Sequence, residues 1–150
     1  MKRVSLLLLT SLLFLSACGS RVIEVHEPWA RAAAKGENGV VYMILHNHTD
    51  MDDELLSASS DVAQAVEIHE SRMSDDGVMQ MIQQDSIALG VDEELEFKPG
   101  GLHIMLVNLN RDLAAGDHIT LTLHFAKYQD ITLGIPVQEA AHMDGSHEMP

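Results

Sequence analysis

Residues 101–109, GLHIMLVNL, set an imidazole and a thioether two positions apart, His103 and Met105. In an extended chain alternate side chains share a face, so this pair points one way and Leu102, Ile104 and Leu106 point the other. At about 3.3 Å rise per residue the two Cβ atoms stand about 6–7 Å apart. Two ligands of one metal ion need donor atoms only about 3–4 Å apart, given bonds of about 2.0–2.3 Å. The long Met side chain closes that gap without bending the strand. Two other stretches repeat the arrangement. GVMQMIQ (77–83) puts Met79 and Met81 on one face, and AVEIHE (65–70) sets Glu67 and His69 opposite Val66 and Ile68. If each strand turns its aliphatic face inward, His69, Met79, Met81, His103 and Met105 all lie off the main core and can gather at one end of the fold. Singly, each has an ordinary use: Met fills irregular core gaps, and a strand His usually makes a structural hydrogen bond. Their joint occurrence on three strands carries the reading.

The donor types select a metal. Thioether is soft and neutral and favours Cu(I) over hard ions, whereas zinc sites favour Cys, His and carboxylate. A set of two His and two Met points to Cu(I). Blue-copper electron transfer requires a Cys ligand, and the chain has one cysteine, Cys18. Four neutral ligands leave no open position for a substrate, which weighs against an oxidase or any other enzyme.

Cys18 belongs to the leader. Residues 1–3 are basic at positions 2 and 3, and residues 4–15, VSLLLLTSLLFL, are an apolar run of signal-peptide length. LSAC (15–18) resembles the bacterial lipobox, which implies a signal peptide over 1–17 and a lipidated Cys18 heading a short linker, 18–21. The expected location is extracytoplasmic, with the lipid as the membrane anchor. Gly19-Ser20 is not the acidic pair linked to inner-membrane retention, so in a Gram-negative host the outer membrane is expected. Without Lys2 and Arg3, seven basic side chains face twenty-three acidic ones. That balance argues against nucleic acid, whose phosphates need Lys and Arg.

Short alternating runs separated by turns must position the candidate ligands. Strands are expected at 22–26, 39–46, 55–59, 65–70, 78–83, 87–89, 95–97, 102–109, 118–125 and 131–137. Turn signals at 47–53, 74–77, 99–101, 110–116 and 128–130 divide them. No stretch after the leader keeps a 3.6-residue period. The pattern predicts an all-β domain over 22–138, an antiparallel sandwich or barrel. About 120 residues suffice for one core and not two. The last segment, 139–150, has little to bury and reads as a flexible tail carrying His142, Met143, His147 and Met149. His46 and His48 flank Asn47 at a strand end with no assignable partner. His118 and His124 share a face with Thr120 and Thr122. Trp29 and Arg31 read as packing residues.

In this frame the chain resembles the periplasmic copper chaperones often termed PCuAC. His69 is followed by eleven residues to Met81, then twenty-one to His103, then one to Met105, and this matches the family's His…Met…His-x-Met pattern. PWARA (28–32), AVEIHE, GVMQM, PGGLHIML (99–106) and GDHITLTLHF (116–125) extend the likeness across 22–138. The resemblance implies a cupredoxin-like Greek-key β-sandwich. It implies a Cu(I) site of His69, Met81, His103 and Met105, with Met79 auxiliary at most. Its implied role is copper delivery to a cytochrome oxidase copper centre, directly or with a Sco-type thiol protein. Some members carry a His/Met-rich extension that binds further copper, including Cu(II), so His142, Met143, His147 and Met149 are auxiliary candidates. The rival expectations are copper sequestration for tolerance and a structural lipoprotein without copper.

Overall fold

The computed structural model describes residues 21–139, so the expectations for the leader, Cys18 and the His/Met tail lie outside the described residues. Ten strands follow one another, each overlapping an expected one, although β1 runs five residues beyond His26 and β4 extends to Met73. They are β1 (Ile23–Arg31), β2 (Gly39–Asn47), β3 (Asp53–Ser59), β4 (Ala63–Met73), β5 (Met79–Gln84), β6 (Ile87–Leu89), β7 (Glu94–Phe97), β8 (Leu102–Leu109), β9 (His118–Phe125) and β10 (Ile131–Gln138). No helix occurs among the described residues.

Strand order in the sheet is β5-β4-β8-β7-β2-β1-β10-β9-β3-β6, with β8 also bonded to β2. Most pairings are antiparallel, as expected, but β1–β10 and β7–β8 are parallel. The short β1–β10 contact, Ala30 opposite Val137, joins two layers. One layer holds β5, β4, β8, β7, β2 and β1; the other holds β10, β9, β3 and β6. Their facing side chains form one core. Val41, Met43 and Leu45 of β2 and Ile104 and Leu106 of β8 meet Leu55, Leu121, Leu123 and Ile135 from the other layer. Burial of these side chains, each about 1.5–3 kcal/mol, drives the two layers together.

The alternation on β2 fixes the geometry of everything outside the core. Odd-numbered residues 41, 43 and 45 point inward. Val40, Tyr42, Ile44 and His46 therefore share the outer face. On β1 a bulge between His26 and Trp29 inserts one extra residue, with Glu27 at a φ of 49°. The bulge exchanges the facing parity: Glu24 and His26 point outward before it, and Ala30, fully buried, points inward after it.

β5 departs from expectation. Its aliphatic side chains were expected inward, yet Val78 and Ile82 are exposed. β4 and β5 form a long hairpin at the sheet end, closed by a turn in which Val78 N–H donates to Ser74 Oγ at 3.1 Å and Gly77 takes a φ of 76°. β5 ends the sheet order and is exposed from Met79 to Gln83, so it contributes no side chain to the core.

Candidate metal centre

Register brings the separated ligand candidates to one face. His69 of β4 is directly opposite His103 of β8, and Glu67 is opposite Met105. On the other side of β4, Ser71 is opposite Met81 and Met73 opposite Met79. Residues opposite each other in an antiparallel pair share a face. His69, Met79, Met81, His103 and Met105 therefore all lie on one face of the layer; His69, His103 and Met105 alternate with the buried Ile68, Ile104 and Leu106 as expected, whereas Met79 and Met81 alternate with exposed residues. The His69 and His103 ring centroids are 5.9 Å apart, with planes inclined by 49°.

Hydrogen bonds fix which nitrogen each ring presents. His103 is buried, and its Nδ1 is 3.0 Å from the Gly101 carbonyl oxygen. That oxygen only accepts, so Nδ1 carries the proton and Nε2 presents a lone pair. His69 is bound the opposite way round. Its Nε2 donates to Glu67 Oε2 at 2.7 Å, leaving Nδ1 with the lone pair. That Nδ1 is buried and has no hydrogen-bond partner among the described residues. A buried polar atom without a partner costs about 1–3 kcal/mol, which marks this nitrogen as a candidate ligand atom. The carboxylate–imidazole pair is the usual outer support of a metal-bound His, orienting the ring and raising its basicity.

The two thioethers differ in setting. Met105 is partly buried, and Asn38 Nδ2 lies 3.7 Å from its sulfur. Met81 is 55% exposed on the hairpin arm, as is Met79. Beside the site, Tyr42 packs against Trp29 with centroids 4.9 Å apart. Burial pushes the Tyr42 phenol above its ordinary pKa, against the opposing pull of the Arg31 guanidinium. A second imidazole group, His26, His46 and His48, lies at the other end of β2. No expectation had joined His26 to the other two, because the β1–β2 register that does so is not written in local spacing.

Glu67 is the supporting residue that ligand spacing alone does not single out. Glu67→Ala is expected to weaken Cu(I) binding about 10–100-fold, the usual cost of losing such a support. Glu67→Gln, which retains an acceptor, should recover most of the loss. Competitive Cu(I) titration of both variants checks this; equal affinity in Glu67→Ala would leave Glu67 without that role.

The fold is a two-layer, cupredoxin-like β domain, with His69, His103 and the thioethers of Met79, Met81 and Met105 on one outer face. The chain belongs to the LpqE-like family: the family model described as "Putative lipoprotein LpqE-like" matches residues 23–137. The chain is 27% identical to the copper-bound PCuAC domain from PmoF2, with a TM-score of 0.66 over 79% of this chain and 93% of that one. The Cu(I) form of DR1885 from Deinococcus radiodurans, at 23% identity, shares the fold with a TM-score of 0.59, covering 83% of this chain and 85% of that one. An uncharacterized protein of Rickettsia prowazekii, RP573, is 35% identical over 104 residues, 66% of this chain. The match spans only 57% of the Rickettsia protein's own length.

Proposed function

We propose that this protein is an extracytoplasmic copper chaperone that holds one Cu(I) between His69, Met81, His103 and Met105. The observation that carries the reading is the buried, unpartnered Nδ1 of His69 on a ring facing His103 across a strand pair. Likeness to a copper-bound PCuAC domain supports it. Copper is cargo here, and the side chains act only as ligands and supports. Two imidazoles with assigned lone pairs and two neutral sulfurs suit Cu(I). They lack the charge attraction of thiolates, so a thiol-bearing acceptor can take the ion. We assign the site no enzymatic activity.

The delivery target we propose is a copper-accepting subunit of a cytochrome oxidase, or a Sco-type thiol protein that serves one. Lipid on Cys18 would tether the domain to a membrane, the outer one in a Gram-negative host. The tail residues His142, Met143, His147 and Met149 would take additional copper, with the imidazoles suited to Cu(II).

Competitive Cu(I) titration before and after removal of residues 139–150 tests the reading. One tight equivalent should survive the truncation, and the loaded truncated domain should still pass copper to a dithiol acceptor. Absence of any tight equivalent in both forms would leave a structural lipoprotein. Loss of all tight binding with the tail would mark a sequestration protein.

A further inference from the structure

The outer face that carries the proposed Cu(I) site holds three more imidazoles at its far end. Val40 of β2 is opposite Met105, and His46 lies on the same face of β2. They are six positions apart, about 20 Å along the strand at roughly 3.3 Å each. Glu24 of β1 is directly opposite His46. His26 shares the face of Glu24, two residues on and just ahead of the bulge. His48 shares the face of His46. The ligand nitrogens of His26, His46 and His48 all lie within 4.8 Å of one another. Glu24 Oε2 lies 3.3 Å from His26 Nε2 and 3.6 Å from His48 Nε2. The His46 and His48 rings are 3.8 Å apart between centroids.

Between those two histidines stands an anchored residue. Asn47 is fully buried. Its Nδ2 donates to the carbonyls of Met51, Leu89 and Gly90 at 3.0, 3.1 and 3.0 Å, and its Oδ1 accepts from Thr49 N–H at 3.0 Å. Its backbone is tied on both sides, its N–H to Glu93 O at 3.0 Å and its carbonyl to Asp92 N–H at 2.9 Å. His46 and His48 therefore leave the sheet from a rigid support, which reduces the ordering cost of bringing them onto one ion. On the opposite flank of β2, Glu94 of β7 is directly opposite His46, so carboxylates border the imidazoles from both sides.

We propose that His26, His46 and His48, with Glu24 as anionic donor, form a second metal site for a divalent first-row ion. Donor separations of 3.3–4.8 Å reach the about 3–4 Å that tetrahedral or tetragonal coordination needs through small rotations of half-exposed side chains. Three imidazoles and a carboxylate contain no thioether. This set favours Cu²⁺, and next Zn²⁺, over Cu(I). One protein face would thus hold two sites sorted by donor softness, the second independent of the first.

The whole chain, carrying His142→Gln and His147→Gln to silence the tail, is titrated with Cu²⁺ and separately with Zn²⁺ against a chromophoric competitor. One equivalent of each ion should bind at this site, more tightly for Cu²⁺. His26→Gln and His48→Gln should each weaken it about tenfold or more, at least the loss that removing an outer support costs. Glu24→Gln should also weaken it, while His69→Gln leaves it unchanged. Paramagnetic resonance of the Cu²⁺ form should show coupling to three nitrogens, reduced to two in His26→Gln. The side chains are half exposed, so the metal-free variants should melt where the parent does. Retention of the equivalent in the His26→Gln/His48→Gln double variant, its loss in His69→Gln instead, or no divalent binding at all would overturn the proposal. None of these outcomes bears on Cu(I) binding at His69 and His103.

Discussion

His103→Ala is expected to lower Cu(I) affinity by about 100-fold or more, about 2.8 kcal/mol at 1.4 kcal/mol per decade. His103 is the most enclosed of the four proposed ligands, only 4% exposed on a central strand. The Gly101 carbonyl holds its Nδ1–H at 3.0 Å, so Nε2 is aimed before any metal arrives. An aimed ligand contributes nearly its full bond strength, because little rotamer freedom is lost on binding. The variant keeps Met81 and Met105, whose sulfurs are weaker donors, and leaves His69 Nδ1 buried with no partner opposite. Its fold should persist, since the inward residues Ile104 and Leu106 are untouched. Competitive titration of parent and variant, with a thermal melt of each, reads both effects. A variant that melts like the parent and binds Cu(I) equally well removes His103 from the site.

Asn47→Ala is expected to cost about 3 kcal/mol or more of folding stability, and about 10 °C in thermal midpoint for a domain of this size. Few side chains here do as much structural service. One amide links the end of β2 to the loop at Met51 and to the backbone at Leu89 and Gly90. Its oxygen also shapes the turn at Thr49, accepting from the hydroxyl at 2.6 Å and from the N–H at 3.0 Å. Alanine leaves those carbonyls without their donor, at about 1–3 kcal/mol for each one that water cannot reach. Asn47→Asp should be nearly as damaging, because a carboxylate accepts but does not donate. Chemical denaturation of both variants measures the loss. A change below about 1 kcal/mol would mean that water takes over these bonds.

All ten strands were legible because their cores alternate strictly: Val41, Met43 and Leu45 on β2, and Ile104 and Leu106 on β8, mark period two in the sequence itself. The shared outer face of His69, His103 and Met105 was legible for the same reason. The run of β1 beyond His26 was not. The bulge at Glu27 and Pro28 exchanges inward and outward positions, so the alternation breaks where the strand continues. The layer position of β5 was also hidden. GVMQMIQ alternates as a half-buried strand should, but its place at the end of the sheet order leaves it nothing to cover. Glu67 as support for His69, and His26 as companion to His46 and His48, depend on cross-strand register. Local spacing does not encode register; the packing of distant segments does.

The exposed end strand has a consequence for how copies of this protein meet. Among the described residues β5 presents one unpaired row of backbone donors and acceptors, and from Val78 to Gln84 the chain carries no charged side chain. Such an open rim is a template on which a strand from another chain can dock. Asp75 and Asp76 stand at one end of the rim and Asp85 at the other. Stacking two copies in register would crowd like charges at both ends, which disfavours such pairing. Part of the chain's acidic character is thus placed at the two ends of this open, Met-bearing edge.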